Sequence, residues 1–478
     1  MYIKFLKICV LMTSMISSTS AFSIKNSPKV VVIGGGLAGL TTAYRLQKKG
    51  MNVDLYEAKK RVGGRVFTST INGRTAELGG QNISDGGEAI HLNQLIDEFG
   101  LNRTSSRVNL SYSYFDGIDF ISYDQILKNK NVDPENLKNH LDMLASSSFN
   151  MKEILEKFVS PLDPLYKILE VRISAYEGGN IDQLSPLYTD TLFHMLLGGI
   201  CSVHQCDKDK NPYVDLLTIE GGNYLLPKKM GEALGENLHL NMPLTKVSKS
   251  INGSFEITFK NGIKTQADIL VLAIPCSVYD QIIFEEEIIA ESKLEAIANI
   301  KYGTNAKILV PFTSEIIKGE PLIGNEIITW FDQGQNILTL YFTGDSSLFT
   351  ADTIASSYFK VHPMIERGLE NCPLFTTPLF VKDEVNLFFD GPIGYSWPND
   401  PYAKGTYSYI AAGQEDILTA TEEKNGEIFK ALFSPLDNHL YFAGEHASIL
   451  FDVPGTMEAA CESGERIART ILKSCSWL

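Results

Sequence analysis

A β-branched run, KVVVI at residues 29–33, leads directly into Gly34, Gly36 and Gly39, and a helical pattern starts at Leu37. The run is apolar throughout, as in a parallel strand buried on both faces. The helix extends to about Gly50, with Leu40, Ala43, Tyr44 and Leu46 on one side, and a second strand spans Asn52 to Tyr56. Strand, glycine turn and helix at this spacing form the start of a βαβ nucleotide-binding unit. The first glycine permits the tight turn, the second lets backbone approach a pyrophosphate, and the third lets helix and strand pack closely. Leu37 and Ala38 then offer free N–H groups at the positive end of the helix dipole. Glu57 ends the second strand, 18 residues after Gly39, where a carboxylate accepts hydrogen bonds from ribose hydroxyls.

At 478 residues the chain is long for one core, so two domains are expected. A net charge of −15 argues against a nucleic-acid partner, which needs a concentrated basic face. Lys4 and Lys7 precede the apolar run Ile8 to Ile16 and small residues up to Ala21, the order of a secretory signal peptide. Cleavage near Ala21 or Ser23 removes two lysines and no acids, taking the charge from −15 to −17. Export is therefore expected, with an uncleaved anchor as the alternative, and no other stretch is apolar and long enough to span a bilayer. Of the 7 cysteines, Cys201 and Cys206 are close enough in sequence to bridge, and His204 lies between them. A metal site needs three or four ligands, so no metal is expected.

Residues 105–215 are mostly helical in pattern, with Leu155, Phe158, Leu165 and Leu169 at helical spacing. Residues 237–274 read as strands and include a second buried-strand candidate, Ala267 to Ile274, ended by Pro275. Several strands are expected over residues 300–345, then Leu440 to Ala443, then a helix over 456–474. The nucleotide-binding domain is thus discontinuous: 1–23 signal peptide, 28–84, 218–298 and 424–475 nucleotide-binding, 85–217 and 299–423 substrate-binding. The expected class is α/β, with a Rossmann-type domain and an interleaved α+β substrate domain.

Further motifs make the reading more specific. Glu57 to Arg65 reads ExxxRxGGR, through Ala58, Arg61, Gly63, Gly64 and Arg65, and Glu77-Leu78-Gly79-Gly80 follows. At the far end come Phe442-Ala443-Gly444-Glu445-His446, Gly455-Thr456-Met457-Glu458-Ala459-Ala460 and Glu462-Ser463-Gly464. Together these resemble the flavin-containing amine oxidase family, a group that includes monoamine oxidases, polyamine oxidases and lysine-specific histone demethylases. The resemblance implies FAD as cofactor. It places Glu445 near the ribityl and pyrophosphate, and the helix start at Thr456 and Met457 at the flavin N1–O2 edge, where reduction adds negative charge. Val247 is expected among the residues that hold the cofactor.

Gly303-Thr304-Asn305-Ala306-Lys307 resembles the segment bearing the active-site lysine of polyamine oxidases and histone demethylases. There the lysine holds a water beside flavin N5 and promotes reaction with oxygen, a task suited to a cation. Trp397 to Gly413 (WPNDPYAKGTYSYIAAG) is similar to the same two subfamilies. By that similarity Tyr407 walls an aromatic cage for the amine, with Trp397 nearby. Monoamine oxidases have a second cage tyrosine where this chain has Thr456, and a flavin-linking cysteine where it has Gly405, so the cage is open and FAD non-covalent. L-Amino-acid oxidases put a carboxylate-binding arginine where this chain has Asn82, which counts against amino acids unless an arginine elsewhere substitutes. The implied reaction moves hydride from the carbon next to a neutral amine to flavin N5. The imine hydrolyses to an aldehyde, and O2 becomes H2O2. A small-molecule amine and O2 are the expected partners. The alternatives are an L-amino-acid oxidase, a dehydrogenase using another acceptor, and a flavin-bearing binding protein without turnover. Of the four Asn-x-Ser/Thr sequons, at Asn82, Asn102, Asn109 and Asn252, the first abuts the expected pocket and is read as accidental.

Overall fold

The computed structural model describes residues 28–475 apart from 72, 84–87, 110–111, 129, 131, 198–212, 312–321, 333–336, 371–392 and 452. The signal-peptide pattern and Cys201, His204 and Cys206 lie outside the described residues. Among the described residues no helix is long and apolar enough to cross a membrane.

The strand Lys29–Ile33 is buried at four of its five positions and sits at the centre of a five-stranded parallel sheet. Its neighbours are Ile269–Leu272 and Asn52–Tyr56, flanked by Leu440–Phe442 and Leu238–His239. One sheet therefore draws on three separated stretches of chain. Helices Leu37–Lys48 and Met457–Cys475 pack together on one face, burying Leu40, Ala43 and Leu46 with Cys461, Ile467 and Ile471. Gly464 makes that contact close, since a Cβ there would meet the Ala38 carbonyl oxygen at 2.5 Å. On the other face Leu270, Leu272 and Phe442 pack against Val247, Ile257 and Phe259 of a four-stranded sheet.

A second layer is a seven-stranded sheet in which Ala306–Pro311 lies between Ile393–Ser396 and Ile337–Phe342. Helices Pro134–Ala145, Met151–Phe158, Pro164–Glu177 and Thr189–Leu196 build the adjoining core. Asp133, Asn150 and Asp163 cap the first three of these by accepting backbone N–H bonds, which sets where each helix begins.

Two expectations change. The stretch from 105 is not helical at its start: Arg103–Asn109 pairs over seven residues with Tyr213–Ile219, and Ser113–Phe115 and Phe120–Ser122 form a hairpin. That long-range pairing leaves no local signal, and the boundary expected at 217/218 falls inside the second of these strands. The expected strand from Ala267 to Ile274 splits, with Ala267 ending Lys264–Ala267 and the buried core strand running only Ile269–Leu272.

Candidate functional site

A cavity of about 1310 Å³ runs from the Gly34 turn to the helices of the second layer. The glycine turn is dictated by contact distances. Gly34 has φ +109°, and a Cβ there would fall 2.3 Å from the Ala273 carbonyl oxygen. A Cβ on Gly39 would lie 1.9 Å from the Gly34 carbonyl oxygen. Gly36 faces no atom within 4 Å in its Cβ direction, so its backbone is open to the cavity. Gly36 also precedes Leu37–Lys48 without a side-chain cap, and that helix has no acid in its first turn. Its first N–H groups are therefore available to an anion at the dipole's positive end.

Glu57 stands beside this turn, its Oε2 accepting from Gly35 N at 2.6 Å and its Oε1 from Lys59 N at 2.8 Å. Burial pushes its carboxyl above the ordinary value, and the two backbone N–H donors only partly offset this. Such a group gains from further donors such as sugar hydroxyls. Ala58, Gly63, Gly64, Gly79 and Gly80 line the same cavity, and a Cβ on Gly80 would meet Met457 Sδ at 3.3 Å.

Arg65 and Glu445 form an ion pair at 2.9 Å, and Arg65 also donates to the Thr406 carbonyl. Glu445 accepts from Ser408 Oγ at 2.7 Å. Burial alone would raise the Glu445 carboxyl; the charges of Arg65 and His446 and the Ser408 hydroxyl outweigh it and hold the group below its usual value. His446, also buried, is pushed down to about 4 by burial, opposed by Glu445 and reinforced by Arg65 and Lys430. Its Nδ1 lies 3.2 Å from the Tyr302 hydroxyl, and Lys430 Nζ donates to its carbonyl at 3.0 Å.

At the other end Lys307 is 6% exposed, in the strand Ala306–Pro311. Its Nζ donates to Glu77 O at 3.1 Å, Gly79 O at 3.0 Å and Gln81 Oε1 at 3.0 Å. The rings of Trp330 and Tyr341 lie 5.6 and 6.0 Å away. Oxygen acceptors and aromatic faces together favour the charged form in a buried position. Tyr407 reaches the cavity with its hydroxyl donating to Ala175 O at 2.9 Å and Tyr176 O at 2.8 Å. Trp397 is fixed by Nε1 donating to Leu78 O at 3.0 Å and by a tilted ring contact with Tyr395. Asn82 lines the cavity, and its Oδ1 is buried with no hydrogen-bond partner among the described residues.

The sequence model of the flavin-containing amine oxidoreductase family matches residues 37–340 and 393–472, well over half of the chain. The chain belongs to this family. Curated relatives within 22–25% identity include an L-amino-acid oxidase of Bothrops pauloensis (22%, 95% of this chain and 91% of that one). Polyamine oxidase 2 of Arabidopsis thaliana is 25% identical over 92% of this chain and 86% of its own. Among solved structures, a wild-type putrescine oxidase bound to putrescine aligns with TM-score 0.65 at 18% identity, covering 93% of this chain and 99% of that one. A cyclohexylamine oxidase from Brevibacterium oxydans gives TM-score 0.68 at 19% identity, covering 94% and 100%. The structural likenesses establish the shared fold.

FAD is the cofactor of this family, and the cradle fits it. The uncapped helix start, the open Gly36 backbone and Glu57 beside it supply the donors and acceptor a dinucleotide needs. Two expected site residues do not line the cavity. Arg61 does not line the cavity: it donates to Val62 O, Val66 O and Gly64 O and stacks over Phe67, bracing the loop that carries Gly63 and Gly64. Val247 is fully buried in the four-stranded sheet, and the cavity wall there is formed by Met242, Pro243, Leu244 and Thr245. Thr456 lines the cavity as expected, and its hydroxyl caps the helix that follows, donating to Val453 O at 2.8 Å and accepting from Ala459 N at 3.1 Å. Sequence reasoning missed Gln81, although it adjoins Gly80, and it missed Arg172, Trp330 and Tyr341, which reach the cavity only through tertiary packing.

Proposed function

We propose that this protein oxidises an amine to an imine, which hydrolyses to an aldehyde, with O2 reduced to H2O2. The observation that carries this reading is the continuity of one cavity from the dinucleotide cradle to buried Lys307, walled by Trp397 and Tyr407. Non-covalently bound FAD supplies the two-electron acceptor for hydride lost from the carbon beside the nitrogen and the route of those electrons to O2.

The chain's own residues do the rest. Leu37, Ala38 and the open Gly36 backbone hold the pyrophosphate, and Glu57 takes the ribose hydroxyls. The start of Met457–Cys475 directs its dipole into the cavity, where it stabilises negative charge. Tyr407 and Trp397, each locked by hydrogen bonds to backbone carbonyls, form rigid apolar walls that orient the amine and exclude water. Lys307 holds a fixed positive charge at the wall where oxygen reduction develops negative charge. Asn82 Oδ1 offers an acceptor for an N–H of the substrate, where an arginine would instead repel an ammonium. From the N-terminal pattern of charge, apolar run and small residues we also infer export of the protein.

The test is anaerobic mixing of the purified FAD-loaded protein with putrescine, spermidine, tyramine and L-amino acids, followed by aeration. Bleaching of the flavin absorbance by at least one amine, with peroxide on aeration, is expected. A flavin left oxidised by every compound would contradict the reading.

A further inference from the structure

The loop 397–405 joins the two aromatic walls of the cavity and is closed on itself. The Trp397 carbonyl accepts from Asp400 N and Gly405 N, both at 3.1 Å, so the chain leaves at Trp397 and returns beside it just before Tyr407. Asp400 organises the interior of this loop. Its Oδ1 accepts from Tyr402 N at 2.8 Å, and its carbonyl accepts from Lys404 N at 2.9 Å. Its Oδ2 accepts from the Tyr395 hydroxyl and from Lys59 Nζ. Lys59 comes from the other domain. It stands two residues beyond Glu57, whose carboxylate accepts from its N–H, and it lines the cavity. Its ammonium lies 5.7 Å from the centre of the Trp397 ring and 5.8 Å from that of Tyr395.

The Asp400 side chain is fully buried and that of Lys59 is 16% exposed. Burial alone would raise the Asp400 carboxyl; Lys59, the Tyr395 hydroxyl and the Tyr402 N–H hold it below its ordinary value. Burial likewise pulls the Lys59 ammonium down, opposed by Asp400. Desolvation therefore offsets much of the attraction, and a buried pair of this kind adds little net stability. What it supplies here is geometry, because hydrogen bonds from the cradle, the strand Ile393–Ser396 and the loop itself converge on one carboxylate.

We propose that Asp400 is a positioning residue, and that its ion pair with Lys59 holds the Trp397 and Tyr407 walls in register with the cofactor cradle. That these walls orient an amine rests on the reading given under the proposed function. Asp400 does not itself line the cavity, so it acts through the two walls at the ends of its loop. A displacement of about 1 Å in such a wall is enough to slow a reaction about a hundredfold. Lys307 is held instead by the Glu77 and Gly79 carbonyls and by Gln81, so the reaction with O2 does not depend on the pair.

The test compares FAD-loaded wild type, Asp400→Asn, Lys59→Met and Lys59→Arg. Asp400→Asn keeps an acceptor for Tyr402 and removes the charge. With tyramine or putrescine as the probe amine, anaerobic single-turnover reduction of the flavin should slow at least tenfold in Asp400→Asn and in Lys59→Met. Lys59→Arg should recover most of that loss. After reduction by dithionite, reoxidation by O2 should stay within twofold of wild type in every variant. Single-turnover rate constants do not depend on the fraction of folded protein, so lost stability alone would not produce this split. Hydrogen exchange of residues 397–407 reads the tie without turnover: FAD loading should slow it at least tenfold in wild type and less than threefold in Asp400→Asn. Should Asp400→Asn fail to fold, Lys59→Met carries both comparisons. Unchanged flavin reduction in the variants, or reduction and reoxidation falling by the same factor, overturns the proposal. A wild-type flavin bleached by no amine contradicts the amine-oxidase reading alone. Hydrogen exchange then decides for the pair, and equal protection by FAD in wild type and variants overturns it.

Discussion

The two ends of the cavity are built from different materials. At the dinucleotide end the contacts are backbone: glycines at positions a Cβ would fill, an uncapped helix start, and one carboxylate fixed by two N–H groups. At the substrate end they are side chains, with Lys307, Trp397, Tyr407 and Arg172 carried by elements far apart in the chain. Backbone architecture tolerates almost no substitution and is common to every reaction run on the fold, whereas side chains can be exchanged singly. A fold of this kind can therefore keep its backbone-built cradle while its substrate end changes one side chain at a time.

The comparison is broken most directly at Gly39. A valine there meets the Gly34 carbonyl oxygen at well under contact distance, so Gly39→Val should abolish FAD retention, a loss of at least about a thousandfold in affinity. Stoichiometric flavin after gel filtration of the variant would show that the cradle is not backbone-limited.

The cradle also holds titratable groups, and these make the second prediction. His446, facing Glu445, Arg65, Lys430 and Tyr302, is neutral down to about pH 4, while an unfolded imidazole takes up its proton near 6.5. The unfolded chain therefore binds more protons between those values, and stability is lost as pH falls from 6.5 to 4. The loss from this group is about 3 kcal/mol. Glu445, held below 4.5, adds a further loss at lower pH, since its stabilisation is present above the unfolded value and disappears as the folded group protonates. Unfolding free energies at pH 6.5 and 4.5 should converge in His446→Asn relative to wild type. Identical slopes would show that His446 does not titrate on unfolding.

A smaller effect is expected at Glu57. Glu57→Gln keeps the shape and loses the charged acceptor, so FAD affinity should drop roughly tenfold, about 1.4 kcal/mol. An unchanged dissociation constant would place the ribose elsewhere.

How much of this was legible in the sequence follows the same division. The glycine turn, Glu57 and the strand Leu440–Phe442 were readable because backbone requirements impose residue types at fixed spacings. The discontinuous parallel sheet followed from them. Val247 lies outside the cavity because its side chain is buried in the core of its own sheet, and which of its neighbours reach the cavity is set by tertiary packing. Arg61 looked like a ligand by its place in ExxxRxGGR, yet its guanidinium serves three carbonyls of its own loop. Arg172 sits in a helix that is buried over most of its surface, so no apolar stripe marks its inward face, and only the packing of that helix shows that it lines the cavity. The strands Arg103–Asn109 and Tyr213–Ile219 were missed for a related reason, since each is stabilised by a partner about a hundred residues away.

The central claim, that one cavity couples a cofactor cradle to an oxidation site governed by a buried cation, is tested most directly at Lys307. In Lys307→Met, FAD affinity and the rate of flavin reoxidation by O2 are measured on the same preparation. Reoxidation is expected to slow about a hundredfold, roughly 2.7 kcal/mol, with the FAD dissociation constant within threefold of wild type. Unchanged oxygen kinetics, or a loss of FAD as large as the loss of rate, would contradict the account.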